Sequence, residues 1–369
     1  MNSWKYYSDT VRAIVWTQSL ANHPAVHRAR KFLEHAEQIE IEDPPDGVWE
    51  PPPELANAGT ILVRPPTSRM FGRCPGTHGH LCCNYLTVDV YVGCTIGCSY
   101  CIMQSYLRNR TLVVQIDSGE SLEHIRQVAA LHPDQMIRVG TGEVGDSLLF
   151  DPLFDLSRGY IEALAKIPNV RFELKSKTDY VDHLLDIPDP GRAVIAFSVN
   201  PQSIVDTEEG YAARLDERLA AARRASDAGY GLAFHFDPMI AVPGWETAYA
   251  GVVEKLGRFR DRDVAWVSLG TLRFPPTLQP YLQDAGYAAH EFVRSRDGKM
   301  RYLQPIRSGM YRRMRALLEE ALPRTAVYLC MESEAVWKNV YAGAPVTQKQ
   351  SVRDVLRPVH IRDVVGVDR

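Results

Sequence analysis

The feature that most constrains this fold is an alternation of strand-like and helix-like segments that sets in at Tyr85. LTVDVYV (86–92), MIRV (136–139), VRFELKS (170–176), AVIAFSV (193–199), GLAFHF (231–236) and VAWVSLG (264–270) read as strands. Between them lie helical patterns over 121–131, 155–167, 212–228 and 246–259, and a short one near Tyr180–Leu185. Apolar runs of strand length alternating with helix-period segments imply parallel βαβ units. Such crossovers are right-handed, so six strands joined this way wind into an α/β fold, an open or partial (β/α)6 barrel. Ligands of such sheets bind at the C-terminal ends of the strands.

The flanks differ in character. Residues 1–80 are expected to form an N-terminal extension, with a helical stretch near His23–Ile39 followed by the Pro-rich PPDGVWEPPPELANAGTILVRPP, which should run extended over the surface. Residues 81–275 form the expected barrel core. Residues 276–369 form a basic hairpin and helix region, with a helix near Gly309–Ala321, the strand TAVYLC (325–330) and a terminal helical stretch. No apolar run reaches the ~20 residues of a membrane span, and the N-terminus lacks the basic-then-apolar layout of a secretory signal. A cytoplasmic location without membrane attachment is therefore expected. The net charge of −3 argues against a protein that coats nucleic acid, although a local basic groove remains compatible with it.

Of seven cysteines, six fall within residues 74–101. In a reducing compartment such clustering points to metal ligation more than to a disulfide framework. VGCTIGCSYCIMQ carries Cys94, Cys98 and Cys101 in a C-x3-C-x2-C spacing where the first strand ends, with Tyr100 before the third cysteine. Three thiolates on one short loop can ligate three irons of a [4Fe–4S] cubane. The fourth iron is then open to the amino and carboxylate groups of S-adenosylmethionine. Gly93 and Gly97 suit a loop folded tightly around such a group. A zinc site, which normally takes four protein ligands or three plus water, and buried structural thiols are the competing readings.

This motif and the segments after it resemble the spore photoproduct lyase family of radical S-adenosylmethionine enzymes. The resemblance runs from about Tyr85 to Trp337. It is carried by CSYCIMQSYL (98–107), VGTGEVGDSL (139–148), LKSKTDYVDHLLD (174–186), FSVNP (197–201), FHFDPMI with PGWE (234–246), SLGTLRF (268–274), GKMRY (298–302) and YLCMESEAVW (328–337). It implies that Gly140, Thr141, Gly142 and Glu143 receive the methionyl ammonium of the cosubstrate, where a carboxylate can accept charge-assisted hydrogen bonds. It also implies that Lys177 and Ser198 contact its carboxylate and neighbouring polar groups. Lys175, two residues away on the same strand face, could exchange roles with Lys177. Asp237 and Arg273 are expected at the substrate, as are Lys299, Arg301 and Tyr302 of the basic stretch Arg294–Arg315, which holds eight Lys/Arg and one Asp. These cations could meet phosphates of damaged DNA. His235, just before Asp237, is expected to face away as a structural histidine. An electron donor such as flavodoxin or ferredoxin is implied as partner.

Two departures from the family stand out. The lyase uses a cysteine after the second strand to return hydrogen to the product radical, whereas this chain reads GTGE there and has no cysteine between 102 and 329. The family's tyrosine after the last cluster cysteine is Ile102, although Tyr100 is kept. Cys330, at the end of a late strand, is the candidate substitute donor, with a buried small apolar residue as its bland alternative. Cys74, Cys82 and Cys83, with His78 and His80, precede the first strand. If that strand is straight they lie roughly 25–30 Å from the cluster loop, at about 3.3 Å per residue. The activity implied is formation of a 5′-deoxyadenosyl radical that abstracts hydrogen from a thymine-dimer-type lesion and leads to carbon–carbon cleavage. The alternatives are the same chemistry on a small nucleoside, nucleotide or other metabolite, and a non-catalytic iron–sulfur protein that binds nucleic acid.

Overall fold

The computed structural model describes residues 3–44, 53–66, 70–76, 79–107, 111–117, 119–282, 292–344, 353–359, 361 and 364. Residues 45–52 of the Pro-rich segment, His78, and 345–352 of the terminal stretch lie outside the described residues. In chain order the strands are β1 (Ala13–Thr17), β2 (Glu37–Ile41), β3 (Thr60–Arg64), β4 (Phe71–Arg73), β5 (Leu86–Val88), β6 (Tyr91–Val92), β7 (Leu112–Gln115) and β8 (Ile137–Gly140). They continue as β9 (Val170–Ser176), β10 (Val194–Ser198), β11 (Gly231–Met239), β12 (Val264–Thr271), β13 (Arg273–Phe274), β14 (Phe292–Arg294), β15 (Met300–Tyr302) and β16 (Ala326–Leu329).

The expected partial barrel is present. Its eight-stranded sheet has the order β16-β12-β11-β10-β9-β8-β5-β4, parallel throughout except for β4, which runs antiparallel to β5. Side chains from both halves of this sheet, Tyr85 and Arg138 on one side and Ser268 and Tyr328 on the other, line one cavity, so the sheet curls. The crossovers are helical for the reason their pattern gave. In the helix Glu120–Leu131 the stripe Ile125, Val128 and Ala129 is buried against the sheet. Asp117 starts that helix by accepting from the backbone N–H groups of Glu120 and Ser121 at 3.2 and 2.7 Å.

Residues before the barrel are more ordered than the sequence suggested. A second sheet of order β2-β1-β3-β7-β6 contains β2, which begins inside the stretch read as helical, and β3, which lies in the Pro-rich segment. Only Pro24–Phe32 of the expected His23–Ile39 helix is helical, and the chain re-enters a strand at Glu37. All five residues of β1 are buried, and a run such as AIVWT cannot be told from a buried helix segment by period alone.

The first barrel strand is also shorter than read. It breaks at Asp89, so β5 belongs to the barrel while β6 pairs antiparallel with β7 in the second sheet. Gln115 holds the break, its N–H donating to Val90 O at 2.9 Å and its side-chain amide to Asp89 O at 2.7 Å. The cysteine loop therefore leaves from the junction of the two sheets. A third, small sheet, β13-β15-β14, forms the predicted hairpin region.

Candidate active site

A cavity of about 610 Å³ opens at the C-terminal ends of the barrel strands. Cys94, Cys98 and Cys101 are on its wall, on a loop that turns through Gly93 (φ +94°) and Gly97 (φ +79°). At such φ values a side chain is strained, which is why glycine stands at both positions. Gly93 N–H donates to Val144 O at 3.0 Å, locking this loop to the GTGE turn. The N-terminal helix Ser3–Thr10 packs on the loop from outside, where Tyr6 Oη and Thr95 Oγ1 are 2.5 Å apart.

Among the described residues, the one set of three His, Cys or carboxylate ligand atoms within 4.8 Å of one another is Asp151, Asp155 and His183. Most of that set's ligand atoms already have protein partners, Asp155 Oδ1 being the buried exception. Asp151 accepts from Tyr91 Oη at 2.6 Å and Ser157 N at 3.0 Å and pairs with His183 at 2.7 Å, while Asp155 pairs with Arg158 at 3.1 Å. The three loop thiols line the cavity but do not form such a set within 4.8 Å, so they are not gathered as around one tetrahedral zinc. Burial pushes the Cys98 thiol up to about 12, with Lys177 opposing.

The remaining predicted residues divide. Gly142, Glu143, Lys177 and Ser198 reach the cavity wall. Gly140 and Thr141 do not; they lie behind it. Thr141 Oγ1 donates to Ser147 Oγ at 2.8 Å, and a Cβ on Gly140 would stand 2.0 Å from Tyr85 Oη. Asp237 and Arg273 face the cavity as a two-pronged ion pair, at 3.1 and 3.2 Å, and Arg273 Nη2 lies 3.6 Å from Cys330 Sγ. Cys330 thus lines the same cavity as the cysteine loop, with its thiol pushed up by burial and by Asp237. Lys299 also lines the cavity.

Arg301 and Tyr302 do not reach it, which corrects the expectation for both. Each is 1% exposed. Arg301 closes the hairpin turn on Asp297 at 2.5 and 2.8 Å, and Tyr302 Oη accepts from Ala241 N at 3.0 Å. Alternation along β15 does not by itself say which face meets the barrel.

Two further expectations fail. His235 and Asp237 line the same cavity, as residues two apart on one strand must. Cys74, Cys82 and Cys83 line it too, instead of lying at the far end of the strand. The reason is that β5 is only three residues long and β4 turns back antiparallel beside it, so Cys74 N donates to Tyr85 O at 2.9 Å.

Several site residues carried no local signal. Asp146 accepts from the backbone N–H groups of Leu148, Leu149 and Lys177 at 3.0, 2.9 and 2.8 Å, and from Ser176 Oγ at 2.8 Å. It thereby ties the GTGE loop to the end of β9. Glu209 accepts from Tyr100 Oη, from Lys177 Nζ at 3.1 Å and from Asn200 Nδ2 at 2.9 Å, with Arg218 at 2.5 Å on its other oxygen. Burial would raise its carboxyl, but Lys177 and Arg218 hold it well below the usual range. Lys177 is thus committed to the cluster loop. Lys175 keeps its charge against burial through Glu143, Glu173 and Asp237.

Deeper in the barrel, Glu173 pairs with His235 at 2.6 Å and Arg138 at 3.5 Å. Burial opposes its ionisation, yet His235 and then Arg138 bring it from 4.5 down to about 2. Its folded value lies below its unfolded one, so its contribution to stability is complete above about pH 4.5 and is lost as pH falls toward 2. Denaturation midpoints measured from pH 7 to pH 3 should fall on the acid side, and Glu173→Gln should flatten that fall.

Comparison with known proteins agrees with this geometry. The family model for spore photoproduct lyase matches residues 82–266, half of the chain. The spore photoproduct lyase of Geobacillus sp. (strain Y412MC61) is 27% identical over 172 residues, covering 46% of this chain and 50% of that protein. The Bacillus subtilis (strain 168) enzyme of the same name is 27% identical over 173 residues, 47% of this chain and 51% of that one. The chain thus spans about half the length of the curated relatives it matches. In three dimensions it is similar to a spore photoproduct lyase mutant solved with bound AdoMet and dinucleoside spore photoproduct. There the TM-score is 0.72 at 21% identity, over 86% of this chain and 98% of that one. A second structure, complexed with dinucleoside spore photoproduct, gives 0.70 at 20% over the same shares. On the extent of the family match, with the partial barrel it accompanies, this chain belongs to the spore photoproduct lyase family.

Proposed function

We propose that this protein is a radical S-adenosylmethionine enzyme acting on a thymine-dimer-type lesion in DNA. The observation that carries the reading is that three cysteines with cluster spacing line one cavity with Glu143, Lys177, Ser198, Asp237, Arg273 and Cys330. When bound, a reduced [4Fe–4S] cluster supplies the electron that cleaves S-adenosylmethionine to methionine and a 5′-deoxyadenosyl radical, the hydrogen abstractor of the reaction.

The chain's own residues do the rest. Cys94, Cys98 and Cys101 would hold three irons. Glu143 would accept from the methionyl ammonium beside the Gly140–Thr141–Gly142 turn, and Lys177 and Ser198 would take the carboxylate and its polar neighbours. Tyr100 orients Lys177, whose Nζ is 3.1 Å from its hydroxyl. Arg273, Asp237 and Lys299 would hold the substrate, and the Cys330 thiol would give a hydrogen atom to the product radical, the resulting thiyl being restored by one electron from the electron donor and one proton from water. In this reading residues 1–80 are an accessory N-terminal unit, 81–275 the radical core and 276–369 the region completing the substrate site. A flavodoxin or ferredoxin supplies electrons, and a reducing cytoplasm suits the free thiols. Among the described residues no helix is long and apolar enough to cross a membrane.

A second reading keeps the chemistry but gives it a small nucleoside or nucleotide. It is favoured by the fate of the basic stretch. Arg301 pairs with Asp297, Arg307 with Glu332 and Arg315 with Glu319, so less charge is left for phosphates than a count of eight suggests. The experiment is anaerobic: reconstitute and reduce the chain, then assay 5′-deoxyadenosine with and without DNA containing spore photoproduct. Stimulation by lesion DNA with restored thymine supports repair. A slow rate indifferent to DNA moves the substrate to small molecules. Cys330→Ala should keep 5′-deoxyadenosine formation within a few-fold while thymine restoration falls by more than about tenfold, since only the return step is lost.

A further inference from the structure

We infer that Glu209 is a positioning residue for the cosubstrate side of the cavity, an inference that rests on the radical reading above. Its carboxylate is fully buried and stands behind the wall, yet it touches two residues on that wall and reaches a third through Arg218. Oε1 takes the Tyr100 hydroxyl, which directly precedes Cys101, and Lys177 Nζ at 3.1 Å at the end of β9. Oε2 takes Arg218 at 2.5 Å, and Arg218 donates onward to Ser198 O at 2.8 Å, at the end of β10. One carboxylate therefore fixes the directions of a cluster-loop aromatic, a cosubstrate lysine and the strand end that bears Ser198.

The backbone around Glu209 grips the same loop. Ser99 N donates to Glu208 O at 2.9 Å and Tyr211 N to Ile96 O at 2.8 Å, with a bridge between Cys98 and Glu209. Gly210 lies so close that a Cβ there would be 2.2 Å from Ile96 O. Residues 208–211 thus hold the loop on which all three cysteines stand. Charge adds to geometry. Glu209 offsets one of two cations, Lys177 and Arg218, in a site that solvent ions screen poorly. Without it, the extra positive charge would favour the more reduced state of a bound cluster.

A merely structural buried ion pair can be exchanged for neutral residues with little loss. The test therefore uses Glu209→Gln together with Glu209→Gln/Arg218→Met, in which the stranded guanidinium is also removed so that the chain folds. Hydrogen exchange on the chain without cluster should be at least about tenfold faster over residues 94–101 in the double variant, with the remaining barrel unchanged. With cluster loaded, KM for S-adenosylmethionine should rise about tenfold with kcat within a few-fold, and the reduction potential should move positive in the single variant. A folded double variant with wild-type exchange over 94–101 overturns the proposal. So does a loaded variant with unchanged KM and potential. If the loaded wild type fails to cleave the cosubstrate, the radical reading falls instead, and the exchange measurement still decides the role of Glu209.

Discussion

Alanine at any one of Cys94, Cys98 or Cys101 is expected to leave the reconstituted chain without an intact cubane and with S-adenosylmethionine cleavage at background. In the proposed site each thiolate ligates one iron, and a cubane left with two protein ligands would have an iron exposed to loss. The fold should survive, because the loop is held by the backbone bonds Gly93 N to Val144 O, Ser99 N to Glu208 O and Tyr211 N to Ile96 O, which the thiols do not make. The measurement is iron and sulfide per chain with the visible spectrum, beside a melting curve. Cys330→Ala, on the same wall, should retain full iron. Cys74→Ala, Cys82→Ala and Cys83→Ala are the informative controls, since they line the same cavity. Iron that falls with them but not with Cys94→Ala would transfer the cluster to the other thiols and refute the assignment.

The second large effect concerns Gly140, in the turn where the family's donor cysteine would be expected. A cysteine cannot be restored there. Any Cβ at Gly140 would lie 2.0 Å from Tyr85 Oη and 2.3 Å from the backbone oxygen of Glu173. Overpacking ordinarily costs about 1–3 kcal/mol, and a clash with sheet backbone sits at or above the top of that range. Gly140→Ala and Gly140→Cys should therefore lose about 3 kcal/mol or more in urea denaturation. Tyr85→Phe should not rescue them, because the Glu173 carbonyl stays in place. A Gly140→Cys chain of near wild-type stability would show that the strand end can open. Cys330 would then lose its standing as the thiol to which the packing of this chain points.

The barrel was legible because its information is local. Each strand and each crossover helix is a contiguous run with its own period, and parallel order with right-handed crossovers follows from their alternation. The cysteine loop was legible for the same reason, since the nine residues Gly93–Cys101 carry both the three cysteines and the glycines that turn the loop. The exchangeable pair Lys175 and Lys177 shows where such information stops. Their spacing puts both on one face, but only Glu209, 32 residues beyond Lys177, draws Lys177 to the cluster loop. Glu209 itself had no motif to betray it.

By itself, then, the sequence determined the barrel, the cysteine loop and the family, all of which rest on residues close together in the chain. The tertiary structure decided the matters that rest on long-range contact. It decided that AIVWT and TILVR pair in a second sheet, and that the first strand breaks at Asp89, sending β6 into that sheet. It also folded β4 back beside β5 and so carried Cys74, Cys82 and Cys83 from the expected far end of a strand to the cavity wall. Tyr302 was taken out of the site by a contact 61 residues away in the chain, its hydroxyl accepting from Ala241 N at 3.0 Å. Which of two available faces a side chain takes is settled by what packs against it, and that partner is rarely a neighbour in sequence.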